Sequence, residues 1–139
     1  MQIEINEKLK SGVEQLAHRY GLRLVLLFGS QAIGQTHKES DIDVAYLPEK
    51  SFDFDQECYL NYEFTNIFRQ DRVDTVDIKK AHPLLMYTVF DHPKILFQAD
   101  NKIFSIYQAY AFKKYIEAKP IFEERSRRLQ EYVNNISHP

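Results

Sequence analysis

Apolar positions along this chain follow two periods, and the switches between them mark its elements. Val13, Leu16, Ala17 and Tyr20 recur at helical spacing; Asn6 is placed to cap the start of that helix and Gly21 to stop it. Five consecutive apolar residues, Leu24 to Phe28, follow at once. That run is too short for a membrane and too apolar for a loop, so it predicts a buried strand. A second short strand opens at Asp41-Ile42-Asp43 and continues Val44-Ala45-Tyr46. After Pro48 and a polar connection, Leu60, Phe64, Ile67 and Phe68 form the stripe of a helix from about Phe54 to Gln70, with Tyr59 and Tyr62 expected to be partly exposed. Val73 to Ile78 reads as a third strand. Pro83 fits the first turn of a third helix that ends near Asp91, and Lys94 to Gln98 reads as a fourth strand. Residues 101–139 are helical in pattern, with Pro120 expected to break or kink the helix near Lys119. The expected class is α/β or α+β: a small mixed sheet of about four strands, helices packed mainly on one face, and C-terminal helices. One domain, 1–139, is expected, with 101–139 as its C-terminal helical extension.

Composition changes this picture little but excludes several functions. The 139 residues are 44% hydrophobic and 27% charged, ordinary values for a globular protein. A net charge of −2 and a pI of about 6.2 argue against a general nucleic-acid binder. Five histidines show neither His-x3-His nor Cys-His spacing, which argues against zinc. Cys58, the single cysteine, is expected to be a buried or half-buried structural thiol and fits a reducing compartment. The charged start MQIEINEKLK has no apolar core, so it is not read as a secretory signal. A soluble cytoplasmic protein without membrane contact is expected.

The chemistry gathers between Leu22 and Tyr46. On a strand Asp41 and Asp43 project from one face, with Cα atoms roughly 6.5 Å apart. Their carboxylates can approach to about 4 Å, where like charges repel by about 4 kcal/mol at an effective dielectric of about 20. A cation between the oxygens removes that conflict, and hard oxygen ligands suit Mg²⁺. Gly29 permits a sharp turn and a close ligand. Ser30 offers a hydroxyl and opens a segment whose backbone N–H groups can bind phosphate. Phosphate donors beside a metal-binding carboxylate pair point to chemistry on a nucleoside triphosphate.

The spacing Gly-Ser-x10-Asp-x-Asp, carried by Gly29, Ser30, Asp41 and Asp43 with Ser40 before the first Asp, resembles the signature of the DNA polymerase β-like nucleotidyltransferases. The small size is similar to that of their minimal members, the MNT antitoxins of type VII-like HEPN–MNT toxin–antitoxin pairs. The likeness reaches more weakly through Val73-Asp74-Thr75-Val76-Asp77-Ile78. It departs where many relatives carry Arg after the Gly-Ser pair, since Gln31 and Ile33 stand there and only His37 and Lys38 bring positive charge. The resemblance implies transfer of AMP from ATP to a tyrosine of a cognate HEPN-domain ribonuclease toxin. Two Mg²⁺ ions would be held by Asp41, Asp43 and a third acid, with Gly29 and Ser30 on the β- and γ-phosphates.

Asp74 and Asp77, at odd separation, point to opposite faces, and alternation alone does not choose between them. Asp77 lies near the strand end, where it can pair with Lys79 or Lys80 or cap the next helix. The family's third acid resembles Asp74, which is therefore assigned as third ligand and acceptor-activating base. The rival readings are a binding-only antitoxin that masks its toxin without catalysis and, less favoured, a small-molecule nucleotidyltransferase. Phe104, Tyr107, Tyr110, Phe112 and Tyr115 cover more than one helical face, and the surplus points to a protein partner. The charges of the tail, Arg125, Arg127 and Arg128 with Glu123, Glu124 and Glu131, read as a solvated face.

Overall fold

The strand β1 (Leu22–Phe28) is buried at every position except Arg23. A strand apolar on both faces needs neighbours on both edges and cover above and below. The computed structural model describes residues 4–29 and 42–137. There β1 is joined by α1 (Glu7–Tyr20), β2 (Ile42–Pro48), α2 (Phe54–Phe68), β3 (Val73–Asp77), α3 (Pro83–Phe90), β4 (Lys94–Gln98) and α4 (Ile103–Ser137). The sheet order is β3-β2-β1-β4. β1 runs antiparallel to β2 and β4, and β2 runs parallel to β3, with α2 as the crossover that a parallel pair requires. The expected mixed four-stranded sheet and C-terminal helix are present.

The helices do not share one face as expected. On one side Val25, Leu27, Val44 and Tyr46 pack with residues of α1 and α2, among them Leu16 and Phe64. On the other, Leu24, Leu26, Phe28, Ala45 and Leu47 pack with Met86 and Phe90 of α3 and with Ile103 and Ala111 of α4. Both faces are covered because β1 and β2 are apolar at odd and even positions alike.

Local signals set most of the boundaries. Asn6 accepts from the N–H of Leu9 at 2.9 Å, and Gly21 ends α1 in the left-handed conformation with φ 66°. Asp53 and Gln56 form a reciprocal capping box at the start of α2. β3 stops one residue short of expectation because the Asp77 carboxylate accepts from the N–H of Lys79, turning Ile78–Lys80 into a 3₁₀ turn.

The break expected at Pro120 and the burial expected for Cys58 are not found. α4 continues through Pro120 without a break. Proline there removes one hydrogen bond to the carbonyl of Ile116, but both residues are exposed, so water can serve that carbonyl. Cys58 is exposed on α2, not buried. Of the α4 aromatics, Phe104, Tyr107 and Phe112 pack on the sheet cluster and Tyr115 stacks on Tyr87 with ring centroids 4.2 Å apart. Tyr110 remains exposed beneath Lys114. Among the described residues no helix is long and apolar enough to cross a membrane.

Candidate active site

The apolar run of β1 ends at Phe28, whose register partner on β2 is Asp43. Gly29 follows with φ 75°, a conformation that costs other L-residues about 1–2 kcal/mol. A Cβ built on Gly29 would stand 2.5 Å from Oδ2 of Asp43. Glycine is therefore required twice, by the backbone and by the carboxylate lying against it. The turn leaves a cradle in which the main chain and an acid meet.

The parallel pairing of β2 with β3 adds a second acid. Ile42 is opposite Val73, Asp43 opposite Asp74 and Tyr46 opposite Asp77. Partners in register share a face, so Asp43 and Asp74 project together from strands about 4.8 Å apart. The start of β3 is tied in place from two sides. The N–H of Ile42 donates to the carbonyl of Arg72 at 3.1 Å. From α2, the amide of Asn61 donates to the carbonyl of Val73 at 2.9 Å and to the hydroxyl of Thr75 at 3.2 Å, gripping the residues on either side of Asp74. Sequence reading missed Asn61; its only mark there is a polar amide beside the apolar stripe that begins at Leu60.

Asp77 belongs elsewhere. It lies on the opposite face with Tyr46 and is buried, its Oδ1 accepting from the N–H of Lys79 at 2.9 Å. Its Oδ2 has no hydrogen-bond partner among the described residues. Burial pushes its pKa up, opposed by the Lys79 N–H and the nearby Lys80 charge. The Tyr46 hydroxyl is likewise shifted upward, by burial first and then by the charges of Asp77 and Glu57. Lys80 pairs with Glu57, and Lys79 reaches the carbonyl of Glu49. Tyr46, Glu57, Asp77 and Lys80 border a cavity of about 280 Å³ apart from the acids Asp43 and Asp74.

The structure thus brings Gly29, Asp43 and Asp74 together and separates Asp77 from them. Ser30, Asp41, Gln31, Ile33, His37 and Lys38 lie outside the described residues. Among the described residues no cluster of three His, Cys, Asp or Glu side chains could hold a metal. The pair Asp43 and Asp74 nonetheless supplies hard carboxylate oxygens from one face beside an open glycine turn, a donor set that fits Mg²⁺. A larger groove, about 610 Å³, lies between α3 and α4 and is walled by Tyr87, Phe104, Phe112 and Tyr115.

The family model for polymerase beta nucleotidyltransferases matches residues 8–102, which include β1, β2, β3 and the acids Asp41, Asp43, Asp74 and Asp77. The chain belongs to the polymerase β nucleotidyltransferase family. Within that family it is 33% identical over 87 residues to the Protein adenylyltransferase MntA of Shewanella oneidensis. That match takes in 61% of this chain and 62% of the curated relative's length. The fold of this nucleotidyltransferase is shared with a chain of a toxin–antitoxin crystal structure with AMP-PNP, at a TM-score of 0.65 and 22% identity over 92% of this chain and 98% of that one. It is shared also with a chain from a complex of a tri-AMPylated Shewanella oneidensis HEPN toxin with its MNT antitoxin, at a TM-score of 0.61 and 19% identity. That likeness covers 93% of this chain and 96% of the other.

Proposed function

We propose that this nucleotidyltransferase is a cytoplasmic antitoxin that transfers AMP from ATP to a tyrosine of a cognate HEPN-domain ribonuclease toxin, with Mg²⁺ as cofactor. The observation that carries the reading is the register pair Asp43 and Asp74 against the Gly29 turn. Its support from relatives is the 33% identity to an adenylyltransferase and a fold held in common with a chain of a complex between an AMPylated HEPN toxin and an MNT antitoxin.

In this reading Asp41, Asp43 and Asp74 hold two Mg²⁺ ions, and Gly29 with Ser30 grips the β- and γ-phosphates. Magnesium bound there supplies charge neutralisation of the triphosphate and a lower pKa for the acceptor hydroxyl. Asp74, on the exposed side of the pair, takes the tyrosine proton. The tyrosine oxygen forms a bond to the α-phosphorus as the bond to the β-phosphate oxygen breaks, and pyrophosphate leaves. The modified tyrosine gains bulk and negative charge where the toxin would bind RNA phosphate, which silences it.

The test is incubation of the purified chain with labelled ATP, Mg²⁺ and the product of the neighbouring toxin gene. Label should pass to a toxin tyrosine and fall at least ~100-fold in Asp74→Asn, the lower end for loss of a general base. Asp77→Asn should retain most of the transfer. A stable complex without transfer would instead establish the binding-only antitoxin. Label on a small molecule but never on protein would establish the small-molecule enzyme.

A further inference from the structure

Among the described residues, only the first part of α4 is covered by the rest of the chain. Ile103 and Ala111 are buried, whereas every residue from Arg125 to Ser137 is exposed. From the half-buried Ala118 and Phe122 into the exposed part, Ala118, Phe122, Arg125, Leu129, Tyr132 and Ile136 follow alternating steps of four and three. A period of seven residues is the seam of a helix that packs lengthwise on another helix. Nothing among the described residues fills it: Leu129, Tyr132 and Ile136 are 64%, 64% and 62% exposed.

The charges identify the kind of helix that fits. Around the rest of α4, Lys119 pairs with Glu123, Glu124 with Arg127 and Arg128, and Arg127 also with Glu131. Lys113 and Lys114 both pair with Glu117. Arg125 is the one Lys or Arg of α4 without an ion pair among the described residues, and it stands in the seam. A second copy of this helix is a poor partner for it. In a parallel in-register pair Arg125 faces its own copy. In an antiparallel pair it enters an apolar layer opposite Phe122 or Leu129, with no acid to meet it. Burying an unpaired guanidinium is strongly unfavourable, so the seam calls for a different helix, apolar along its length and acidic at one layer.

We propose that residues 118–136 of α4 dock lengthwise on a helix of the toxin and that this helix presents a carboxylate to Arg125; the inference rests on the function proposed above. The test is calorimetric titration of the full chain with the neighbouring gene's toxin. The paired change Leu129→Ser with Tyr132→Ser should weaken binding at least tenfold while circular dichroism stays unchanged. Arg125→Glu should weaken it comparably. Arg127→Glu, on the opposite face, should leave it as it was. Equal binding by wild type and the seam variants overturns the docking surface and leaves the proposed function standing. Failure of the wild-type chain to bind the toxin overturns both. Self-association of the isolated chain that the seam changes abolish, with toxin binding intact, overturns it in favour of a second copy.

Discussion

Replacing Asp77 by Asn isolates the cost of a buried carboxyl that is only half satisfied. Its Oδ1 accepts from the N–H of Lys79, while Oδ2 has no partner among the described residues. Burial raises its pKa above the ordinary 3.8. The folded chain therefore holds this proton more tightly than the unfolded chain does. The stability that the protonated group contributes is complete below the unfolded value and is lost as pH rises through the raised folded one. Above that raised value the fold carries the charged form. Leaving a buried polar group unsatisfied costs about 1–3 kcal/mol. Asparagine keeps the acceptor for Lys79 and removes the charge, but its own amide needs a partner and the attraction of Lys80 is lost. The net gain should sit at the lower end, about 1 kcal/mol, or roughly 3 °C in melting temperature for a domain of this size. Urea and thermal unfolding of both proteins across the acid range measure it. The advantage of Asp77→Asn should be full above the raised folded value and shrink as pH falls toward 3.8. A difference that does not change with pH, or a less stable variant at pH 7, would refute the reasoning.

The other expectations concern the opposite face. Gly29→Ala should cost about 1–2 kcal/mol of stability from the left-handed backbone alone, and its Cβ should push the Asp43 carboxylate aside; full transfer by a folded Gly29→Ala variant would contradict the cradle. Asp43→Asn should abolish transfer while the melting temperature in EDTA stays level or rises slightly; a large metal-free loss would make the acid structural. Ser30→Ala should raise KM for ATP more than it lowers kcat, because the phosphorus attacked in the step is the α one and not those it would hold; an unchanged KM with a collapsed kcat would exclude that role.

What could be read from the sequence was what short-range physics dictates. Asn6, Gly21 and Pro83 mark helix ends through one or two backbone groups, and the structure has them there. The cover on both sheet faces was implicit in the unbroken apolar runs of β1 and β2, yet a four-strand estimate with helices on one face overlooked it. Pro120 shows a local rule overridden, since a solvated helix can give one carbonyl to water. The choice of Asp74 over Asp77 as the neighbour of Asp43 could not come from alternation, which only sets them on opposite faces. It needed the pairing of β2 with β3, a contact across some thirty residues that the α2 crossover and Asn61 determine. Asp43 against Gly29 is legible only in three dimensions, because fourteen positions separate them in the chain.

The exposure of Cys58 has an experimental consequence. It is the only thiol in the chain, it faces solvent, and it rides on α2, across the sheet from Asp43, Asp74 and the helices α3 and α4. A maleimide fluorophore or spin label attached there would report tumbling and distance changes on an otherwise native sequence. No engineered cysteine would be needed, and the probe would sit on the far side of the molecule from the chemistry it observes.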